Sequence, residues 1–165
     1  FFPLNELKIS AFHRRVTDMA GYSLDDLYKE IAARDFALLP IAGDQDPLPK
    51  ASGEFSMYAA GQWTTIKPAR IHPSEVDSGL LQRKILSPIF HIDEAGTDNR
   101  LQYLPGSVGL NHLVDQTDLD GGAAFALHPV PMAQLLSVAD RRMTFPPKST
   151  YFQPKVRSGI FLVHR

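Results

Sequence analysis

Lys148, Ser149, Thr150 and Tyr151 stand in one uninterrupted run behind Pro146-Pro147, and Lys155 follows shortly after. Ammonium and guanidinium groups supply charge and donors to a phosphate or carboxylate, and hydroxyls add directional hydrogen bonds. The run therefore reads as an anion-binding set, Arg157 being a further candidate. His13 and Arg14 join it if the first strand lies beside the last. Residues 141–165 hold six basic residues and no acid, a local charge of +6, whereas the preceding 140 residues set 11 basic against 18 acidic residues, a balance of −7. Such polarity fits a surface for anions or an acidic partner. It fits equally an acidic body that neutralises its own basic tail through exposed pairs worth ~0–1 kcal/mol each. On sequence, both readings stand.

Other chemistries find less support. The absence of cysteine excludes disulfides, thiolate catalysis and Cys-based zinc sites. There is no phosphate loop and no dinucleotide-binding glycine fingerprint. Gly106-Ser107-Val108-Gly109 has the wrong glycine spacing for a nucleophile elbow. His13, His72, His91, His112, His128 and His164 include no i, i+4 pair, so metal binding is not indicated. His128, between an apolar strand and Pro129, reads as a hydrogen-bonded structural residue, and no Ser/His/Asp set emerges by spacing. Nucleic-acid binding is not favoured: the basic segment is short and interleaved only with Tyr151, Phe152 and Phe161. No apolar run reaches the ~20 residues of a membrane span, and a cytoplasmic protein is expected.

The elements that must position these groups follow from periodicity and turn chemistry. A strand is expected around Leu7, Ile9 and Phe12, ended by the charged His13-Arg14-Arg15. Ser23 caps a helix to about Ala33, with Leu24, Leu27, Tyr28 and Ile31 on one face. Phe36–Leu39 reads as a strand, 43–52 as a loop, and 55–59 with 62–66 as a hairpin on whose sheet Trp63 packs. A second helix starts at Ser74-Glu75, carries Val76, Leu80, Leu81 and Ile85, and stops at Pro88, with close packing at Gly79. A loop over 93–99 precedes a strand at 100–104. Ser107 caps a short helix through Leu110, Leu113 and Val114, and Asp120-Gly121-Gly122 turns into a buried strand at 123–127. The last helix opens at Pro131 with Met132, Leu135, Leu136 and Ala139 inward. After Pro146-Pro147 a strand is expected from Lys148 to Gln153, Pro154 ends it, Ser158-Gly159 bends the chain, and a buried strand spans 160–163. The intermixing predicts an α+β fold: one domain over 1–165, a mixed or antiparallel sheet covered by about four helices.

Pro146-Pro147-Lys148-Ser149-Thr150-Tyr151-Phe152, with Pro154-Lys155 and Ser158-Gly159, resembles the C-terminal signature of the domain-of-unknown-function 1015 family of bacterial and archaeal proteins. Phe145 stands where that family usually has Met. Phe2-Pro3, Leu7-Lys8-Ile9, Phe12-His13-Arg14, the Gly79–Arg83 segment with Ile85-Leu86, Thr97–Arg100 and Ala124–Leu127 are also similar to it. Members are about twice this length. Their N-terminal half, with a D-G-H-H-R-type element, resembles the ParB/sulfiredoxin fold, some relatives of which bind nucleotides or phosphorylate free serine.

That element is absent here, so the resemblance implies a C-terminal domain whose partner is the missing N-terminal half. The leading expectation is an anion-binding domain of a nucleotide-dependent enzyme. In it Lys148, Ser149, Thr150, Tyr151, Lys155, Arg14 and His13 would hold a phosphorylated or carboxylated small molecule. The alternative is a non-catalytic interaction or regulatory domain that packs on a ParB-like half, with a DNA-linked role. The sequence names no cofactor and no reaction.

Overall fold

Strand β7 (Ala123–Leu127) is the buried axis of the fold, apolar along its whole length. β4 (Phe55–Ala59) pairs with it antiparallel on one side and β2 (Phe12–Val16) on the other. β4 continues through the Ala60-Gly61 turn into β5 (Gln62–Pro68), which pairs with β3 (Phe36–Pro40), while β6 (Leu101–Pro105) lies outside β2. The resulting six-stranded sheet runs β3-β5-β4-β7-β2-β6, with every pairing antiparallel. A separate two-stranded sheet joins β1 (Lys8–Ser10) to β8 (Tyr151–Gln153), Ser10 facing Tyr151 and Ile9 facing Phe152. The computed structural model describes residues 8–71, 75–94 and 96–153. Lys155, Arg157, the Ser74 cap and the strand expected over 160–163 lie outside them.

Helices cover both faces of the sheet and complete a single compact α+β domain. On one face lie α1 (Leu24–Ala32) and a continuous helical segment: α2 (Asp77–Leu81), a π-turn (Gln82–Leu86) and α3 (Ser87–Phe90). Leu27, Ile31, Leu81, Ile85 and Phe90 pack there on Phe55, Met57 and Phe125. On the other face α4 (Leu110–Asp120) sets Leu113 against Tyr58 and Ala124, with Trp63 half-buried beside them, as expected of it. α5 (Met132–Asp140) follows β7. Ser23 caps α1 as its sequence requires, its hydroxyl accepting the Asp26 N–H at 3.2 Å. Among the described residues, no helix is long and apolar enough to cross a membrane.

Several local expectations are corrected. His13-Arg14-Arg15 does not end the first strand but forms the buried body of β2. Ala11 instead separates β1 from β2. Pro88 does not stop the second helix. It lies inside the continuous helical segment, directly after the π-turn, where its missing N–H and its ring interrupt the regular bonding of the helix, and the helix ends at His91 in the left-handed region, φ 55°. Ser107 lies within a 3-10 turn (Gly106–Val108), and Gly109 precedes α4. In α5 the buried residue is Val138, whereas Leu136 and Ala139 are exposed.

The close packing expected at Gly79 is moderate. A Cβ there would meet Pro146 Cγ at 3.5 Å, an ordinary van der Waals contact. With the space present and the helical penalty of glycine removed, Gly79→Ala is expected to stabilise the fold by about 0.5–1 kcal/mol in urea unfolding. A loss of stability would mean that Pro146 has no room to accept the methyl group.

Candidate functional site

The site grows from β2, whose pleat turns alternate residues to opposite faces. Arg14 stands opposite Tyr103 of β6 and Phe125 of β7 on the face covered by α1, α2 and α3. Its guanidinium carbon lies 4.7 Å from the Tyr103 ring centroid, a cation–π contact set by that cross-strand register. Nη1 donates to the Phe12 carbonyl at 2.7 Å and Nη2 to the Pro147 carbonyl at 3.2 Å. Arg14 is only 3% exposed, and no carboxylate lies within ion-pair range of it among the described residues. Burial pulls its pKa down to about 10, which leaves the guanidinium charged at neutral pH.

Pro147 belongs to the predicted anion-binding run, so Arg14 supports that segment from below. The run is a turn rather than the start of a strand: Lys148 adopts φ 54°, and β8 begins only at Tyr151. A lysine in the left-handed region costs energy that an unbranched extended chain would avoid, so the surroundings enforce this shape. Two hydroxyls contribute to it. Ser149 donates to the Pro146 carbonyl at 2.6 Å. With its one proton so used, Ser149 accepts the hydroxyl of Ser78 at 2.7 Å, which ties the turn to the first turn of α2. The turn leaves Lys148 exposed with its Nζ 5.8 Å from the centre of the Phe12 ring, and Tyr151 meets the same ring edge-on at 5.5 Å.

Lys148 and Arg14 thus come to one aromatic cluster, one touching the Phe12 ring and the other the Phe12 carbonyl. Lys148, like Arg14, has no carboxylate partner among the described residues. Thr150 is half-buried beside them in sequence, and Lys155 lies outside the described residues. His13 is on the opposite face of β2. Its Nδ1 accepts the Leu127 N–H at 3.2 Å, and burial, aided by the Arg14 charge, lowers its pKa to about 4. It is a neutral residue bracing β2 to β7 and adds no positive charge. Arg15 on that face is held by Asp120 at 2.5 Å, the Gln116 carbonyl at 3.0 Å and Gln102 at 2.9 Å.

One group beside the turn was not legible from spacing. Asp77 precedes Ser78 and accepts the Gly53 N–H at 2.8 Å. Burial raises its carboxyl to about 6, against the opposing pull of that N–H and of His128 nearby. Among the described residues, His128 Nδ1 is buried with no hydrogen-bond partner. Asp77 is an acid in the first turn of α2, and the fold brings Gly53 and His128 to it.

No family model and no curated protein matches this sequence. Solved structures do match its fold. Free serine kinase in complex with AMP is similar over 90% of this chain and 55% of its own, with a TM-score of 0.54 and 11% identity. A mutant of free serine kinase in complex with ADP gives a TM-score of 0.52 at 14% identity over the same shares, 90% and 55%. A conserved hypothetical protein from Pyrococcus furiosus gives 0.54 at 12% identity, covering 89% of this chain and 56% of that one. The chain therefore spans about half the length of the structures it resembles, and at these identities the likeness is one of fold.

Proposed function

We propose that this domain binds a phosphate- or carboxylate-bearing small molecule at the Pro146–Tyr151 turn, as part of a nucleotide-dependent enzyme of the domain-of-unknown-function 1015 type. The observation that carries the reading is the meeting of Lys148 and Arg14 at Phe12 with no carboxylate among the described residues to neutralise either. Lys148 would contact the anion directly. Arg14 is too buried to do so and would act by fixing the Pro147 carbonyl and by its charge beneath the turn. Ser149 and Ser78 would hold the turn open, Thr150 and Lys155 would add donors, Tyr151 and Phe12 would give a flat apolar edge, and His13 would brace β2. The AMP- and ADP-bound kinases of like fold support a nucleotide or phosphorylated metabolite as the class to test first. The missing half of a longer chain would supply most of any chemistry.

The test is a thermal-shift panel of ATP, ADP, phosphoserine, free serine, pyrophosphate and sulfate on the chain and on Lys148→Ala. A ligand at ten times its Kd adds about 1.4 kcal/mol, roughly 3–6 °C for a domain of this size. A selective shift lost in Lys148→Ala supports the site and names its class. No shift with any anion, the variant remaining folded, refutes it and favours a non-catalytic interaction domain.

A further inference from the structure

We propose a second anion-binding site, separate from the Pro146–Tyr151 turn, in the cavity of about 410 Å³ where the ends of β3 and β5 meet the π-turn. The antiparallel register creates the place: Phe36 pairs with Pro68, and the Ala69 N–H donates to the Asp35 carbonyl at 2.8 Å. Three cations reach it from three elements. Arg34 follows α1, Arg70 follows β5, and Lys84 comes from the π-turn. The surplus charge is real because the counter-ions are few. Glu30 holds Arg34 at 2.7 Å, and Asp35 is the one carboxylate among the lining residues. Arg70 and Lys84 have no carboxylate within ion-pair range among the described residues, unlike Lys29, Lys67 and Arg100 elsewhere on the surface.

The backbone adds a second observation. A π-turn is a rare, costly insertion in a helix and is concentrated at functional sites. Here it carries Lys84 on the cavity wall. Phe36, Pro68 and Leu80 supply an apolar floor. A cavity of this size suits a small molecule, and cations on separate walls suit one with two or more phosphate or carboxylate groups.

The experiment is a titration of the 165-residue chain with pyrophosphate and, separately, citrate, followed by amide chemical shifts. Saturable shifts at Arg34–Phe36, Ala69–Arg70 and Lys84 are expected with at least one probe, and whichever acts identifies phosphate or carboxylate as the recognised group. The double variant Arg70→Ala, Lys84→Ala is expected to weaken binding about tenfold or more, since two charge-assisted contacts go. Lys148→Ala is expected to leave these shifts unchanged, which separates this site from the first. Arg83→Ala, beside Lys84 but paired with Glu75, is expected to bind as the wild type does. The proposal is overturned if neither probe gives saturable shifts there, if the double variant binds normally, or if Arg83→Ala weakens binding equally, which would mean diffuse surface charge.

Discussion

Gly122→Ala is expected to cost about 3 kcal/mol or more of folding stability, the upper end of what overpacking does, because the clash is between main chains. A Cβ at Gly122 would lie 2.0 Å from the Val16 carbonyl oxygen, 2.8 Å from the Thr17 carbonyl carbon and 3.0 Å from that of Val16. No rotamer change relieves contacts with backbone. The strain falls where β7 begins, next to the Val16–Ala123 pairing that joins it to β2. Relief therefore requires β2 and β7 to part at that end, two pairs away from where Arg14 faces Phe125. Gly121→Ala is the control. It has open space but sits at φ 70° as the C-cap of α4, so its cost should be about 1 kcal/mol. Urea unfolding of the two variants distinguishes a steric from a conformational penalty. A loss at Gly122 no greater than that at Gly121 would mean that β2 and β7 are not locked so closely.

What the sequence revealed and what it concealed divide along the same line. Features decided by near neighbours were legible: the Ser23 cap, the 55–66 hairpin, the apolar β7, and the Asp120-Gly121-Gly122 turn. The α+β class followed from them, with the sheet left as mixed or antiparallel, and it is antiparallel throughout. Features decided by distant residues were not. Three successive charged or titratable residues at 13–15 look like a solvated strand end, yet each is buried because β6, β7, α4 and the Pro147 turn supply its partners. The Pro146–Tyr151 run was nominated from residue type, local charge and motif, with Arg14 joining it only on the condition that the first and last strands lie together, and Arg14 does reach the Pro147 carbonyl. Its turn geometry was not, because strand propensity at Ser149 and Thr150 gives way to the bonds that Ser149 makes with Pro146 and Ser78. The π-turn leaves no periodic signal that an ordinary apolar helix stripe would lack.

Asp77→Asn is expected to stabilise the protein at pH 7.5 and to change how its stability depends on acid. Two buried groups here act with opposite signs. Asp77 titrates at about 6 rather than 3.8, mainly because it is buried, so its ionisation opposes folding: that cost is absent below pH 3.8 and complete above about pH 6. His13 titrates at about 4 rather than 6.5, again through burial first and the Arg14 charge second. The folded state holds it neutral, so its contribution is full above pH 6.5 and lost as the pH falls through 4. Between pH 4 and 6 the losses from one offset the gains from the other, and the wild type should show little pH dependence from this pair. Asparagine keeps an oxygen for the Gly53 N–H and removes the charge. At pH 4 and below, where Asp77 is protonated in the fold, variant and wild type should differ little. Above pH 6 the variant should be more stable by about 1–2 kcal/mol, about half the full linkage value, because solvent screens part of the cost of the charge. The variant should then lose stability steadily between pH 6.5 and 4, with the titration of His13 no longer masked. Urea unfolding at pH 4.0, 5.5 and 7.5 decides it. A variant less stable than wild type at pH 7.5 would mean that the Asp77 carboxylate, through the Gly53 N–H and its other neighbours, contributes to folding rather than opposing it.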